Sequence, residues 1–319
     1  MQSALCYKIN RKVRTPVVGR TERGMGAVIR EIECKSALVK SGIEGVDFVL
    51  NPYTGCAHGC VYCYAQFMTR FRSHPEPWGR FVDVKMNFAH ILDRECRRLF
   101  GRLLPGPDDN SGEPLEIMLS SVTDPYQPVE SRYCITRACL KIIAAHVDAG
   151  ACRPGAGAPL VSVLTKSDLV VRDMDLLAAL PLADVGFTVT TPDDRTSAMV
   201  EPGAPVSSRR LKAMESLSAR GIPTWAFFGP VIPHYSDSPG VMGRLFRMLE
   251  AAGAKRILVD RMNLYPNCLS GLHRVFGNDA AVQSRIRFAR SMPGEYEAEL
   301  RAMVHDAAQG VSSEIELVF

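Results

Sequence analysis

Apolar and polar positions along this chain alternate in blocks rather than residue by residue. Short apolar runs at Val46–Leu50, Leu115–Ser120, Leu160–Thr165, Val185–Thr190, Pro223–Gly229 and Arg256–Met262 read as strands. Near-continuous apolar strands belong to a parallel sheet covered by helices on its faces. Each run is followed by a loop and a segment with apolar residues near helical spacing. In Asn87–Phe100 the stripe is Phe88, Ile91, Leu92, Cys96 and Leu99. Further helices are predicted over Thr136–Ala149, Met174–Leu180, Ser207–Ala219, Val241–Ala252 and Pro293–Ala308. Six such units predict an α/β fold: a partial (β/α)6 TIM-type barrel with a parallel sheet. A flat doubly wound sheet is the structural alternative. Around a core at 41–265, residues 1–40 read as an N-terminal arm and 266–319 as a short C-terminal helical extension.

Composition narrows the class. The 319 residues are 46% hydrophobic and 23% charged, the balance of a globular protein, which excludes disordered and fibrous chains. No run of about 18 apolar residues predicts a membrane span. Met1–Lys8 has no apolar stretch behind a basic start, so no signal peptide is expected and the expected location is the cytoplasm. Net charge is only +4, but residues 1–40 carry nine Lys/Arg against three Glu. Such a basic arm either tracks phosphate, as a nucleic-acid contact, or forms a solvated surface extension. The stretch from Arg70-Phe71-Arg72 to Trp78-Gly79-Arg80 interleaves cations and aromatics, as strand-binding surfaces do. No Gly-rich dinucleotide fingerprint follows the first strand, since Gly24-Met25-Gly26 precedes it and lacks a third glycine.

Ten cysteines in a reducing compartment call for a reason other than disulfides. Seven are scattered: Cys6, Cys34, Cys96, Cys134, Cys139, Cys152 and Cys268. Cys56, Cys60 and Cys63 fall within eight residues, at spacing C-x3-C-x2-C, just after the first predicted strand. Gly55 and Gly59 let the backbone fold closely around a bulky inorganic centre. A [4Fe–4S] cluster ordinarily takes four cysteines, so three would leave one iron open for a substrate or cosubstrate. A structural zinc site would need His58 or His74 as a fourth ligand. Buried cysteines without a ligand role are the third reading.

The loop Asn51-Pro52-Tyr53-Thr54-Gly55-Cys56 through Tyr62-Cys63 resembles the signature of the radical S-adenosylmethionine superfamily, with an aromatic residue just before the last cysteine. Further segments are similar to its spore photoproduct lyase-like branch, in the same order. They are Ser120–Pro128, Leu164–Asp168, Glu201–Pro205 and Gly229–Pro233, so the resemblance spans roughly residues 35 to 265. It implies a [4Fe–4S] cluster on Cys56, Cys60 and Cys63 whose open iron chelates S-adenosylmethionine. Reduction, from an electron donor such as flavodoxin or ferredoxin, then cleaves the sulfonium, and a 5′-deoxyadenosyl radical abstracts hydrogen from substrate. Within that frame Tyr62 lies near the adenine. Ser121, Thr123 and Asp124 suit the methionyl ammonium, and Lys166 suits the methionyl carboxylate or a substrate anion. Thr190 reaches the ribose, Val231 and Ile232 form an apolar wall for the adenine, and Asn263 contacts adenine or substrate. Taken singly, Lys166 and Glu201 read as surface residues, and Arg209 and Arg210 as a solvated helix face with Glu215.

The resemblance breaks at one place. Spore photoproduct lyase carries a cysteine hydrogen donor after its second strand, where this chain reads Leu119-Ser120-Ser121-Val122-Thr123. Cys134, Cys139 and Cys268 read as buried structural thiols, with Cys268 also the candidate radical relay. Two substrate classes follow: nucleic acid, or a small molecule or peptide, the latter including transfer of the aminocarboxypropyl group. A non-enzymatic zinc-binding module is the third class.

Overall fold

The computed structural model describes residues 17–24, 26–71, 74–100, 114–147, 158–277 and 279–319, with backbone alone over 17–24 and at 71. The chain forms two compact units. The first comprises Met1–Ala57, Phe67–Leu164 and Arg172–Asp184, and the second His58–Gln66, Thr165–Val171 and Val185–Phe319. The arm belongs to the first unit, 266–319 to the second, and the core segment 41–265 contributes to both.

The first unit opens with β1 (Val17–Gly24), β2 (Ala27–Ile32), β3 (Leu38–Lys40), β4 (Phe48–Leu50), β5 (Tyr53–Thr54) and β6 (Phe81–Lys85). It continues with α1 (Phe88–Phe100), β7 (Glu116–Leu119), α2 (Glu130–Tyr133), α3 (Ile135–His146), β8 (Leu160–Thr165) and α4 (Met174–Ala179). The strands expected at Val46–Leu50, Leu115–Ser120 and Leu160–Thr165 are β4, β7 and β8, which pair in parallel in that order. β3 adds to β4 antiparallel. Apolar residues bury as the pattern requires, with Ile117, Leu119, Val161 and Val163 in the core. The α1 stripe is buried at Phe88, Ile91, Leu92 and Cys96, and closes with Phe100 where Leu99 was expected. Helix α3 follows Cys134 in a left-handed conformation (φ 51°). The Glu130 carboxylate does the capping, accepting from the N–H groups of Thr136 (2.9 Å) and Arg137 (3.2 Å).

The arm departs from expectation. Its described part is no solvated extension: β1 and β2 form an antiparallel hairpin, and β2 pairs in parallel with β6 in a sheet of order β1-β2-β6-β5. Ala27, Val28, Ile29 and Ile32 of β2 are buried. Arg30 lies 3.8 Å from both Glu76 and Asp83, so this arm cation is paired inside its own unit. Residues 1–16, and Arg72 of the Arg70–Arg80 stretch, lie outside the described residues.

The second unit takes β9 (Ala183–Thr188) from Val185 onward, then α5 (Asp194–Val200), α6 (Ser207–Ser218), β10 (Thr224–Val231) and α7 (Pro239–Ala251). It ends with β11 (Arg256–Arg261), α8 (Pro266–Phe276), α9 (Ala280–Ser291), α10 (Pro293–Ala307) and β12 (Glu314–Leu317). β9, β10, β11 and β12 are parallel neighbours in that order. Helix starts follow local chemistry: Asp193 caps α5 and Asp279 caps α9, each accepting from backbone N–H groups, while α7, α8 and α10 begin at proline. Strand β12 was not expected, because Glu314 and Glu316 alternate with only two apolar residues at the edge of the sheet. Among the described residues no helix is long and apolar enough to cross a membrane.

Candidate functional site

The cysteine loop begins after β5 in the first unit and continues into the second, where its residues 58–63 are held. Around Cys56, Gly55 adopts φ 85°, a conformation open to glycine, and a Cβ there would meet the Phe81 carbonyl oxygen. Thr123 Oγ1 donates to Gly55 O at 2.6 Å. The fully buried Gln127 amide donates to Gly55 O (3.2 Å) and to Thr123 Oγ1 (2.9 Å), and its Oε1 accepts from Ala57 N (2.9 Å). One glutamine side chain thus grips the backbone on both sides of Cys56. Ser121 N donates to Asn51 Oδ1 (3.1 Å) and Asn51 Nδ2 to Ser121 Oγ (3.4 Å). Asp124 is buried and accepts from Tyr126 N at 2.9 Å.

In the second unit, Cys60, Tyr62, Ile232, Met262 and Cys268 share one apolar cluster, with Cys63 at its margin. Residues 200–203 run alongside the loop: Val61 N donates to Val200 O and Gly203 N to His58 O, both at 2.9 Å. The Tyr62 hydroxyl donates to Glu201 Oε1, which also accepts from Thr190 Oγ1 at 3.4 Å. The other oxygen accepts from Ser197 Oγ (3.3 Å) and from Arg210 Nη2. Arg210 donates further to Pro205 O (2.7 Å) and Thr188 O (2.9 Å). Both charged side chains are 0% exposed. On the α8 side, Cys268 Sγ donates to Tyr62 O at 3.2 Å.

Electrostatics follow from burial. Desolvation pushes the Cys60 thiol up to about 12, with Glu201 and Cys63 adding to Coulomb repulsion while Lys166 and Arg210 oppose it. Burial raises the Tyr62 phenol, and the nearby Glu201 charge raises it further. For Glu201 burial acts upward too, but Arg210 and Lys166 outweigh it and hold the carboxylate below its usual range. Lys166 Nζ stands 5.9 Å from the Tyr62 ring centroid.

The expected site residues therefore divide between the units. Ser121, Thr123 and Asp124 lie in the loop after β7, whereas Tyr62, Lys166 and Thr190 gather around Glu201 in the second unit. Val231 and Ile232 are fully buried and Asn263 is exposed after β11. Glu201 and Arg210 correct the sequence reading: neither is a surface residue, and Arg210 faces a buried carboxylate rather than a solvated face with Glu215. Gln127, although inside a noted segment, carried no expected role.

Three thiols on a closely folded, largely buried loop fit an iron–sulfur cluster. Among the described residues no group of three or more His, Cys, Asp or Glu is placed to hold one metal ion. His74, one of the two fourth ligands a zinc site required, is instead engaged by Asp83 at 2.9 Å and Glu76 at 3.2 Å.

No family model matches the chain. It is 33% identical over 215 residues to Uncharacterized protein MJ0683 of Methanocaldococcus jannaschii, covering 67% of this chain and 72% of that protein. It is 30% identical over 249 residues to Uncharacterized protein Rv2578c of Mycobacterium tuberculosis, covering 75% of this chain and 66% of the relative. Among solved structures, spore photoproduct lyase complexed with dinucleoside spore photoproduct superposes with a TM-score of 0.65 at 14% identity, over 96% of this chain and 87% of that one. The chain belongs to the family of MJ0683 and has the radical S-adenosylmethionine, spore photoproduct lyase-like fold, of partial TIM-barrel type.

Proposed function

We propose that this chain is a radical S-adenosylmethionine enzyme in which Cys56, Cys60 and Cys63 hold a [4Fe–4S] cluster. One coincidence supports the reading: a C-x3-C-x2-C loop with Tyr62 before its last cysteine sits in a chain whose fold is that of spore photoproduct lyase. When bound, the cluster supplies the electron that cleaves the sulfonium of S-adenosylmethionine, leaving the protein to bind, orient and exclude water. Gln127 and Thr123 hold the backbone about Cys56. Glu201, Val200 and Cys268 hold residues 58–62. Lys166 is the cation for the methionyl carboxylate, and Ser121, Thr123 and Asp124 supply the polar groups for its ammonium. Tyr62, Val231 and Ile232 are the adenine contacts, Thr190 the ribose contact and Asn263 an adenine or substrate contact.

The basic balance of residues 1–40 favours a polyanionic substrate. Nucleic-acid binding that falls steeply with salt supports it, and no measurable binding at low salt removes it in favour of a small molecule or peptide. Direct repair of the spore photoproduct type has no support, for want of a donor cysteine after β7. Cys268 is the remaining candidate relay: loss of substrate turnover in Cys268→Ser with S-adenosylmethionine cleavage intact supports that role, and unchanged turnover excludes it. The enzyme reading itself is tested by anaerobic reconstitution, reduction and addition of S-adenosylmethionine. Formation of 5′-deoxyadenosine, absent from Cys56→Ala, Cys60→Ala and Cys63→Ala, supports it. Zinc without iron or sulfide in protein purified anaerobically removes it.

A further inference from the structure

We infer that Glu201 and Arg210 are positioning residues for the cysteine loop, acting through Tyr62; this rests on the assignment of Cys60 and Cys63 as cluster ligands.

A carboxylate and a guanidinium, both fully buried, pair beside an apolar cluster. A buried ion pair adds little stability over apolar residues of the same volume, and its best-attested use is to fix register. Here the register being fixed is legible. Glu201 accepts from four groups, Tyr62, Thr190, Ser197 and Arg210, which fills the acceptor capacity of a carboxylate. Three of these donors come from the segment 188–210 that encloses Glu201 itself. The fourth, Tyr62, comes from the cysteine loop, between Cys60 and Cys63.

The same strip of chain meets the loop twice more through backbone, at His58 O and Val61 N. Those two bonds, with Cys63 N on Cys60 O (3.2 Å) and Cys268 Sγ on Tyr62 O (3.2 Å), fix the backbone of the turn Cys60–Cys63. The phenol of Tyr62 adds the side-chain tie, because its hydroxyl is held by a carboxylate that cannot move without unpairing Arg210. Arg210 in turn is anchored to Pro205 O and Thr188 O. The chain of contacts therefore runs from the end of β9, through Arg210 and Glu201, to the residue between two thiols. Orientation of those thiols, rather than charge delivered to the cluster, is the work assigned to the pair.

Three full-length variants test this: Tyr62→Phe, Glu201→Gln, and the double variant Glu201→Leu with Arg210→Met. Each is reconstituted anaerobically with iron and sulfide in the absence of S-adenosylmethionine. Iron and sulfide per chain are counted, and the electron paramagnetic resonance spectrum of the reduced protein is recorded before and after S-adenosylmethionine is added. Tyr62→Phe removes one hydroxyl and leaves the ion pair, so its fold is secure even where the double variant's is not. The expected result is Tyr62→Phe and the double variant melting near wild type, with iron uptake down at least threefold or a spectrum altered already before S-adenosylmethionine is added. Glu201→Gln, which keeps an acceptor for the phenol, is expected to lie between them and wild type. Wild-type iron content and spectrum in a folded Tyr62→Phe overturn the inference. Wild-type protein that takes up no iron overturns the cluster assignment beneath it, and the two failures are told apart by that control.

Discussion

The carbonyl oxygen of Val61 occupies the place where a side chain at Gly271 would begin. Gly271 sits inside α8, where glycine ordinarily costs about 0.5–1 kcal/mol relative to alanine. The close approach of the cysteine loop explains why it is tolerated there. Gly271→Ala, normally a helix-stabilising change, is expected to destabilise by about 1–3 kcal/mol, because the loop backbone must shift. Gly294→Ala in α10, with nothing within 4 Å of its Cβ, is the control and is expected to melt at or slightly above wild type. Thermal unfolding of the two variants decides it; equal melting temperatures would mean that the loop yields freely.

Arg210→Met leaves the Glu201 carboxylate buried without its cation. Removing one partner of a buried pair costs about 3–5 kcal/mol, whereas removing both is often close to neutral. Denaturant titration should therefore show a large loss for Arg210→Met and recovery of most of it when Glu201→Leu is added. Additive losses would contradict the pairing.

Gln127 donates to Gly55 O and Thr123 while accepting from Ala57 N, on both sides of Cys56. Gln127→Glu keeps the acceptor but discards both donors and turns a carboxylate towards the Gly55 carbonyl. A loss of about 1–3 kcal/mol is expected for the unsatisfied groups, together with less iron bound on reconstitution. Wild-type values for both would remove Gln127 from the loop's support.

Asp260, in β11, supplies a pH dependence of stability. Burial pushes its carboxyl up to about 6, against the opposing charge of Arg261. In the unfolded chain the group titrates near 3.9. Between these values the folded protein keeps a proton that the unfolded chain has released, so the stability this group contributes is greatest below about pH 4 and falls as pH rises to about 6. Above that the cost is fully present, on the order of 1–3 kcal/mol. Asp260→Asn is expected to raise the melting temperature at pH 8 and to change it little at pH 4. The same increment at both values would mean that burial does not penalise this carboxylate.

The parallel strands were legible because each is a compact apolar run. β8 spans Leu160–Thr165, as the pattern predicts, and the starts of β9 and β10 shift by only one or two residues. The hairpin of β1 and β2 was hidden by its charges, since Arg30 looks like a surface cation until Glu76 and Asp83 are brought to it from β6 and the loop before it. Arg210 was misread for the same reason. Ser207-Ser208-Arg209-Arg210 is a polar helix start, and only a carboxylate nine residues earlier, folded back, makes burial of the second arginine tolerable. The bond from Tyr62 to Glu201 joins positions 139 residues apart, which no local spacing records. The three cysteines, by contrast, were evident because their crowding is local.

The central claim is that Cys56, Cys60 and Cys63 carry a [4Fe–4S] cluster. The most direct test counts iron and acid-labile sulfide in anaerobically reconstituted protein. About four of each per chain are predicted, falling to near zero when the three cysteines are replaced by alanine. Wild-type protein that binds no sulfide, or that keeps its full iron content without those thiols, would contradict the account.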